Sequence, residues 1–190
     1  MEELLKFLES LYPVDPQLQI YLWHHIPKEI HRANKTLLEE GQVCDWIAFI
    51  EKGFVKVYYE YDDVTERVIG FYREGDMVGC VKSYFTNTPS KLTIRTIEET
   101  FLRRIHKAEL EMLLSKYPGF NFNTRCIIER ICCMYEDHVI LLGMPAKERF
   151  LKVQEMYPWM MKDSRVKDYM IASFLGIDKA TFSKYRNGKE

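Results

Sequence analysis

Between Trp46 and Ile105 the apolar residues fall in short runs, one with a clear period of two, separated by glycine or polar turn residues. Val55, Val57 and Tyr59 alternate with Lys56, Tyr58 and Glu60, the pattern of a half-buried strand. Trp46 to Ile50 is a strand that Gly53 breaks. Asp62-Asp63 reads as a hairpin turn, and Arg67 to Tyr72 as a strand stopped by Glu74-Gly75-Asp76. Leu92 to Ile97 and Thr100 to Ile105 complete the set. Many short strands at this spacing predict an antiparallel sandwich or jelly roll.

Helical periodicity flanks this region on both sides. Leu4, Leu5, Leu8 and Leu11 mark a first helix, Pro13 and Pro16 interrupt, and Leu18, Tyr21, Leu22 and Ile26 mark a second that Pro27 ends. After Lys107, Leu110, Leu113 and Leu114 form a short helix ending near Pro118-Gly119. A long helix from about Phe122 to Leu142 follows, with Ile128, Ile131, Tyr135, His138 and Leu142 spaced as the seam of a coiled coil. Met134, Cys132 and Val139 widen that apolar surface, which favours a homodimer. Pro145 starts a further helix that runs to about Tyr157. The fold class expected is α+β: an antiparallel β-roll with N-terminal helices over residues 1–118, a dimerisation helix over 119–143, and a helix-turn-helix domain over 144–190.

With 47% hydrophobic residues the chain of 190 residues can bury a core. No run approaches the ~20 apolar residues of a membrane span, and the acidic, amphipathic N-terminus lacks the features of a signal peptide. The expectation is a cytoplasmic protein without a membrane partner. Cys44, Cys80, Cys126, Cys132 and Cys133 show neither a disulfide framework nor zinc spacing, so buried free thiols are expected. A redox or iron–sulfur sensor would want clustered cysteines in a flexible segment, which this chain does not offer. The net charge of −1 is uneven. Residues 145–190 carry ten Lys/Arg against six Asp/Glu, a balance of +4, whereas residues 1–144 carry 17 against 22, a balance of −5. A basic C-terminal segment on an acidic body suggests a polyanion partner at that end.

The basic end holds the most specific motif. In Lys167 to Glu190, two short helices meet at Gly176-Ile177-Asp178. Gly176 supplies the positive φ of a sharp turn, Ala172 allows close approach, and Asp178 is a good N-cap. Ile171, Leu175, Ile177, Phe182 and Tyr185 are apolar on the inner faces. The second helix then presents Lys179, Ala180, Thr181, Ser183, Lys184 and Arg186 outward. Such residues can reach base edges and phosphates: the lysines guanine, Thr181 and Ser183 phosphate or thymine.

The order of parts resembles the Crp/Fnr family of bacterial regulators over nearly the whole chain. Gly41, Gly53, Gly75-Asp76 and Gly79 stand where the family's cyclic-nucleotide-binding roll has turns. Phe49 to Tyr58 resembles its strand-turn-strand signature, and Ile171 to Arg186 its helix-turn-helix. The resemblance implies a homodimer on double-stranded DNA with a near-palindromic operator, with RNA polymerase a candidate contact. It also implies an effector pocket at Gly79, Cys80, Ser90 and Lys91. There the chain departs from the members that bind cyclic AMP. Gly79-Cys80 replaces the Gly-Glu whose carboxylate holds the ribose. Ser90-Lys91 replaces the Arg-Ser that holds the phosphate, and a lysine cannot reproduce a bidentate fork. Cyclic AMP is therefore not the expected effector, and the pocket is empty, collapsed on Tyr84 and Phe85, or used by an unknown small molecule. The β-wing usual beside the recognition helix is at best abbreviated in Met161 to Arg165, which implies fewer phosphate contacts and a shallower salt slope.

The function expected is thus a DNA-binding transcription regulator, not an enzyme, without cofactor. A cupin-type enzyme would need strand-borne metal ligands. His24, His25, His31, His106 and His138 give no such pair, and no Ser/His/Asp or Cys/His arrangement is readable. A sensor acting through protein contacts with a vestigial helix-turn-helix is the other alternative.

Overall fold

The computed structural model describes residues 1–62 and 65–188. Asp63, half of the expected hairpin turn, lies outside the described residues. The chain divides into two compact units, Met1–Val57 with Phe71–Arg130, and Tyr58–Gly70 with Ile131–Glu190.

In the first unit, α1 (Glu2–Leu11) buries Leu4 and Leu8. Helix α2 (Pro16–His25) starts where Asp15 accepts the amides of Gln17 (2.8 Å) and Leu18 (3.3 Å), with Pro16 in the first helical turn. Pro16 therefore opens this helix rather than only interrupting the first. The strands follow: β1 (Lys28–His31), β2 (Thr36–Leu38), β3 (Trp46–Lys52), β4 (Val55–Asp62), β5 (Thr65–Tyr72), β6 (Met77–Val78), β7 (Thr93–Thr96) and β8 (Thr100–His106). They form two four-stranded sheets, ordered β1-β8-β3-β6 and β2-β7-β4-β5. Strand β3 pairs antiparallel with β8, Ile47 opposite Ile105, and with β6, Ala48 opposite Val78. The core holds Phe49, Ile50, Phe54, Val55, Ile94 and Leu102, all at most 1% exposed. Burying each such side chain contributes about 1.5–3 kcal/mol.

Gly53 joins β3 to β4 at φ +111°, and an added Cβ would stand 2.5 Å from Thr100 Oγ1 and 2.6 Å from its Cα. Only glycine fits there. Helix α3 (Val81–Thr86) follows β6, α4 (Lys107–Lys116) follows β8, and α5 (Phe120–Leu142) begins two residues earlier than its pattern indicated. Asn123 of α5 is fully buried, and its amide donates to Leu8 O and Tyr12 O, both at 2.8 Å, satisfying the end of α1.

The second unit contains the later part of α5, then α6 (Ala146–Met156), α7 (Asp168–Leu175) and α8 (Lys179–Arg186), with the outer part of the β4–β5 hairpin. Its core is Phe150, Val153, Met160, Ile171, Phe174, Leu175 and Phe182. No helix among the described residues is long and apolar enough to cross a membrane.

Candidate nucleic-acid interface and effector cradle

The junction of α7 and α8 is built from three local devices. Gly176 sits at φ +65°, the amide of Ile177 reaches Ala172 O (3.0 Å), and the amide of Gly176 reaches Ser173 O (3.1 Å). This 6→1 and 5→2 pair closes α7 and turns the chain. Asp178 then caps α8, accepting the Thr181 amide (2.8 Å) and the Thr181 hydroxyl (2.6 Å), and these bonds hold its carboxyl below the usual range. Phe182 is fully buried and meets Phe150 edge-on at 5.5 Å. Arg149 donates to Leu175 O (2.6 Å), placing a cation on the carbonyl end of α7. From the hairpin, Ser173 Oγ donates to Glu66 O (2.6 Å) and accepts the Val68 amide (2.9 Å), bridging the edge of β5.

Of the six residues expected on the outer face of α8, Lys179, Ala180, Ser183 and Lys184 are exposed. Thr181 differs from the expectation, and Arg186 is exposed but engaged. Thr181 is half-buried with its hydroxyl committed to Asp178, and exposed Arg186 is ion-paired with Asp168 at the start of α7. Residues 161–165 are in turns rather than strands. Arg149 and Ser173, which seat α7, carry no sequence signal of their own, because their partners lie 26 and about 106 residues away.

In the first unit, the expected effector residues divide. Cys80 and Ser90 are buried, whereas Lys91 is exposed. Ser90 Oγ is engaged with both the amide and the carbonyl of Leu92, at 2.9 Å each. Tyr84 is buried, and Lys107 Nζ donates to its carbonyl (2.9 Å). Phe85, expected to help fill the pocket, is instead 54% exposed. Burial pushes the Tyr84 hydroxyl up to about 12.

The family model of the cyclic nucleotide-binding domain matches residues 28–117. The cAMP-activated global transcriptional regulator Vfr of Pseudomonas aeruginosa is 34% identical over 55 residues, which span 29% of this chain and 26% of that relative. The structure superimposes on FixK2 of Bradyrhizobium japonicum with a TM-score of 0.73 at 17% identity, covering 86% of this chain and 83% of that one. It also matches CLP, the c-di-GMP responsive global regulator of Xanthomonas campestris, at TM-score 0.72 and 15% identity over 90% and 89% of the two chains. The chain thus shares the fold of FixK2 and CLP, and residues 28–117 match the cyclic nucleotide-binding domain.

Two expectations are corrected on α5. His138, assigned to the seam, is buried at 7% exposure; its ring stacks on Phe174 at 4.1 Å and Nε2 meets Phe174 O at 3.0 Å. Burial lowers its pKa. Ile131 and Tyr135 are half-buried, while Ile128 and Leu142 are exposed. The residues that recur at four and three on the outward side are Ile128, Cys132, Tyr135, Val139 and Leu142, with Val139 71% exposed. The stripe is thus rotated by one residue at two positions. Burial of the cysteines is likewise only partly met: Cys44 and Cys80 are buried, Cys126 is half-buried, and Cys132 and Cys133 are exposed.

Proposed function

We propose that this protein is a homodimeric, sequence-specific DNA-binding transcription regulator that cyclic AMP does not control. The observation that carries the reading is α8: a capped helix, set by a glycine turn against α7, that turns Lys179, Ala180, Ser183 and Lys184 to solvent. A helix held this way offers its first residues to the major groove and its lysines to guanine or phosphate. The pair α7–α8 is the helix-turn-helix of a C-terminal domain over residues 144–190, joined by a dimerisation helix over 119–143 to the sensor domain over 1–118. Dimerisation uses the outward stripe of α5, since Val139 and Leu142 together with Ile128 make an apolar surface suited to a second copy. Two such copies place two recognition helices on a near-palindromic operator in the cytoplasm.

The relatives give the class of activity: Vfr is a cAMP-activated transcriptional regulator and CLP a c-di-GMP responsive one. Control here differs at the cradle, where buried Cys80 stands in place of a carboxylate and exposed Lys91 in place of an arginine. The test is selection of bound duplexes from random DNA, with and without cyclic AMP. Enrichment of paired half-sites, unchanged by cyclic AMP and weakened by Lys184→Ala, supports the reading. Absence of enrichment under low salt overturns DNA binding, and enrichment only with cyclic AMP overturns the account of the cradle.

A further inference from the structure

Cys44 and Cys80 are 36 residues apart in sequence and meet in the first unit. Cys44 lies two residues before β3 and Cys80 two residues after β6, and these two strands pair antiparallel, Ala48 opposite Val78 and Phe49 opposite Met77. The Cys80 amide nitrogen lies 3.4 Å from Cys44 Sγ and donates to it, which sets the two side chains beside each other. Both backbones are stitched at this point. The Cys44 amide donates to Ser83 Oγ of α3 (2.9 Å), and that hydroxyl donates to Thr88 O (2.6 Å). The sulfurs are buried, at 0% and 2% residue exposure, with Cys44 Sγ also 3.2 Å from Trp46 O.

We propose that Cys44 and Cys80 form a reversible dithiol–disulfide pair, a modification site of the sensor domain that reacts with a hydroperoxide. With Cys44 Sγ against the Cys80 amide, the two side chains reach disulfide geometry once local opening lets the backbone adjust. Their roles are unequal. Cys44 Sγ accepts the Cys80 amide, which favours its thiolate, whereas the neighbouring sulfur and burial hold the Cys80 thiol protonated. Cys44 is the attacking sulfur. Its thiolate attacks one peroxide oxygen, the S–O bond forms, the O–O bond breaks, and the leaving oxygen takes a proton, as water from hydrogen peroxide. Cys80 then attacks the sulfenic Cys44 Sγ, the S–S bond forms, and hydroxide leaves as water with the Cys80 proton. Two thiols and one hydrogen peroxide give one disulfide and two waters.

Burial makes the reaction depend on local opening of α3. That helix is six residues long, and the segment after it, Asn87 to Pro89, is exposed. The disulfide ties the β6–α3 junction, where the cradle begins, to the segment preceding β3. This inference is independent of what α8 binds.

The experiment treats the full-length protein with hydrogen peroxide under native conditions, alkylates the remaining thiols, and maps disulfides by peptide mass spectrometry. The expected product links Cys44 to Cys80 with loss of two hydrogens and reverts with dithiothreitol. It persists in the Cys132→Ser/Cys133→Ser double variant and is lost in Cys44→Ala. Mapping the unsubstituted protein keeps the result independent of whether any variant folds. Cys44 and Cys80 recovered as separate alkylated thiols, at a dose that fully oxidises Cys132 and Cys133, would overturn the proposal. So would a native disulfide pattern matching that of protein oxidised after unfolding.

Discussion

Replacing Gly176 by alanine tests how the α7–α8 junction is held. The backbone stands at φ +65°, where an L-residue costs about 1–2 kcal/mol. The added Cβ would lie 2.8 Å from Arg67 Nη1 and 3.0 Å from Arg149 Nη1. Both are ends of flexible side chains, so they will move rather than force the helices apart. Arg149 cannot move without loss, because the same nitrogen donates to Leu175 O at 2.6 Å. A charge-assisted bond of this kind contributes about 1.5–3 kcal/mol. Gly176→Ala should therefore destabilise the second unit by about 3 kcal/mol, with roughly half from the backbone. Gly176→Asn separates the two parts, since asparagine tolerates the left-handed region while keeping the Cβ. The assay is native hydrogen exchange over residues 168–186, with urea unfolding in parallel. A cost for Gly176→Ala below ~0.5 kcal/mol, the scale of an indifferent surface change, would refute the reasoning. Equal damage from asparagine and alanine would refute the backbone share.

Phe182→Ala removes a fully buried ring packed on Phe150 and should cost about 3–5 kcal/mol, read as loss of exchange protection in α8. Ser173→Ala removes both hydrogen bonds to the β5 edge and should cost about 1–3 kcal/mol, with faster exchange at the Val68 amide. Burial depresses the pKa of His138, so its neutral form is favoured in the folded state. That contribution is complete above the ordinary value of 6.5 and is lost as pH falls from there through the lowered folded pKa. The urea midpoint should drop between pH 7.5 and 5.5, and His138→Phe should flatten this slope. Lys184→Ala should reduce the salt dependence of DNA binding by about 0.9 in log–log slope if the lysine meets a phosphate.

Period-two alternation made β4 readable, apolar runs bounded by turns marked β3 and β5, and β7 and β8 ended within a residue of their apolar runs. The shorter elements were not readable, for a physical reason. Strand β6 is two residues long and exists because Met77 and Val78 pair with Phe49 and Ala48, not because of any pattern of its own. The α7–α8 turn was legible because its requirements are local: a residue at positive φ and a capping carboxylate. Arg149 on Leu175 O and Ser173 on Glu66 and Val68 are long-range bonds that no window of sequence contains. Cys44 and Cys80, separately unremarkable, became a pair only through the β3–β6 register.

Helix α5 shows why periodicity alone could not choose the seam. Two apolar stripes run along it one residue apart, and a heptad pattern fits both. One passes through His138 and Leu141, which are buried, and the other through Val139 and Leu142, which are exposed. The buried stripe is not idle in the proposed dimer. His138 stacks on Phe174 in the last turn of α7, and α7 sets α8 through Gly176. A change in how two copies pair along Val139 and Leu142 rotates α5, and rotation moves His138 on the adjacent face. The Phe174 contact, with rings only 4° from parallel, then has to slide or break. His138→Ala should accordingly weaken DNA binding while leaving the dimer intact, measured by sedimentation and by duplex titration on the same sample. Loss of the dimer in that variant would instead place His138 in the seam.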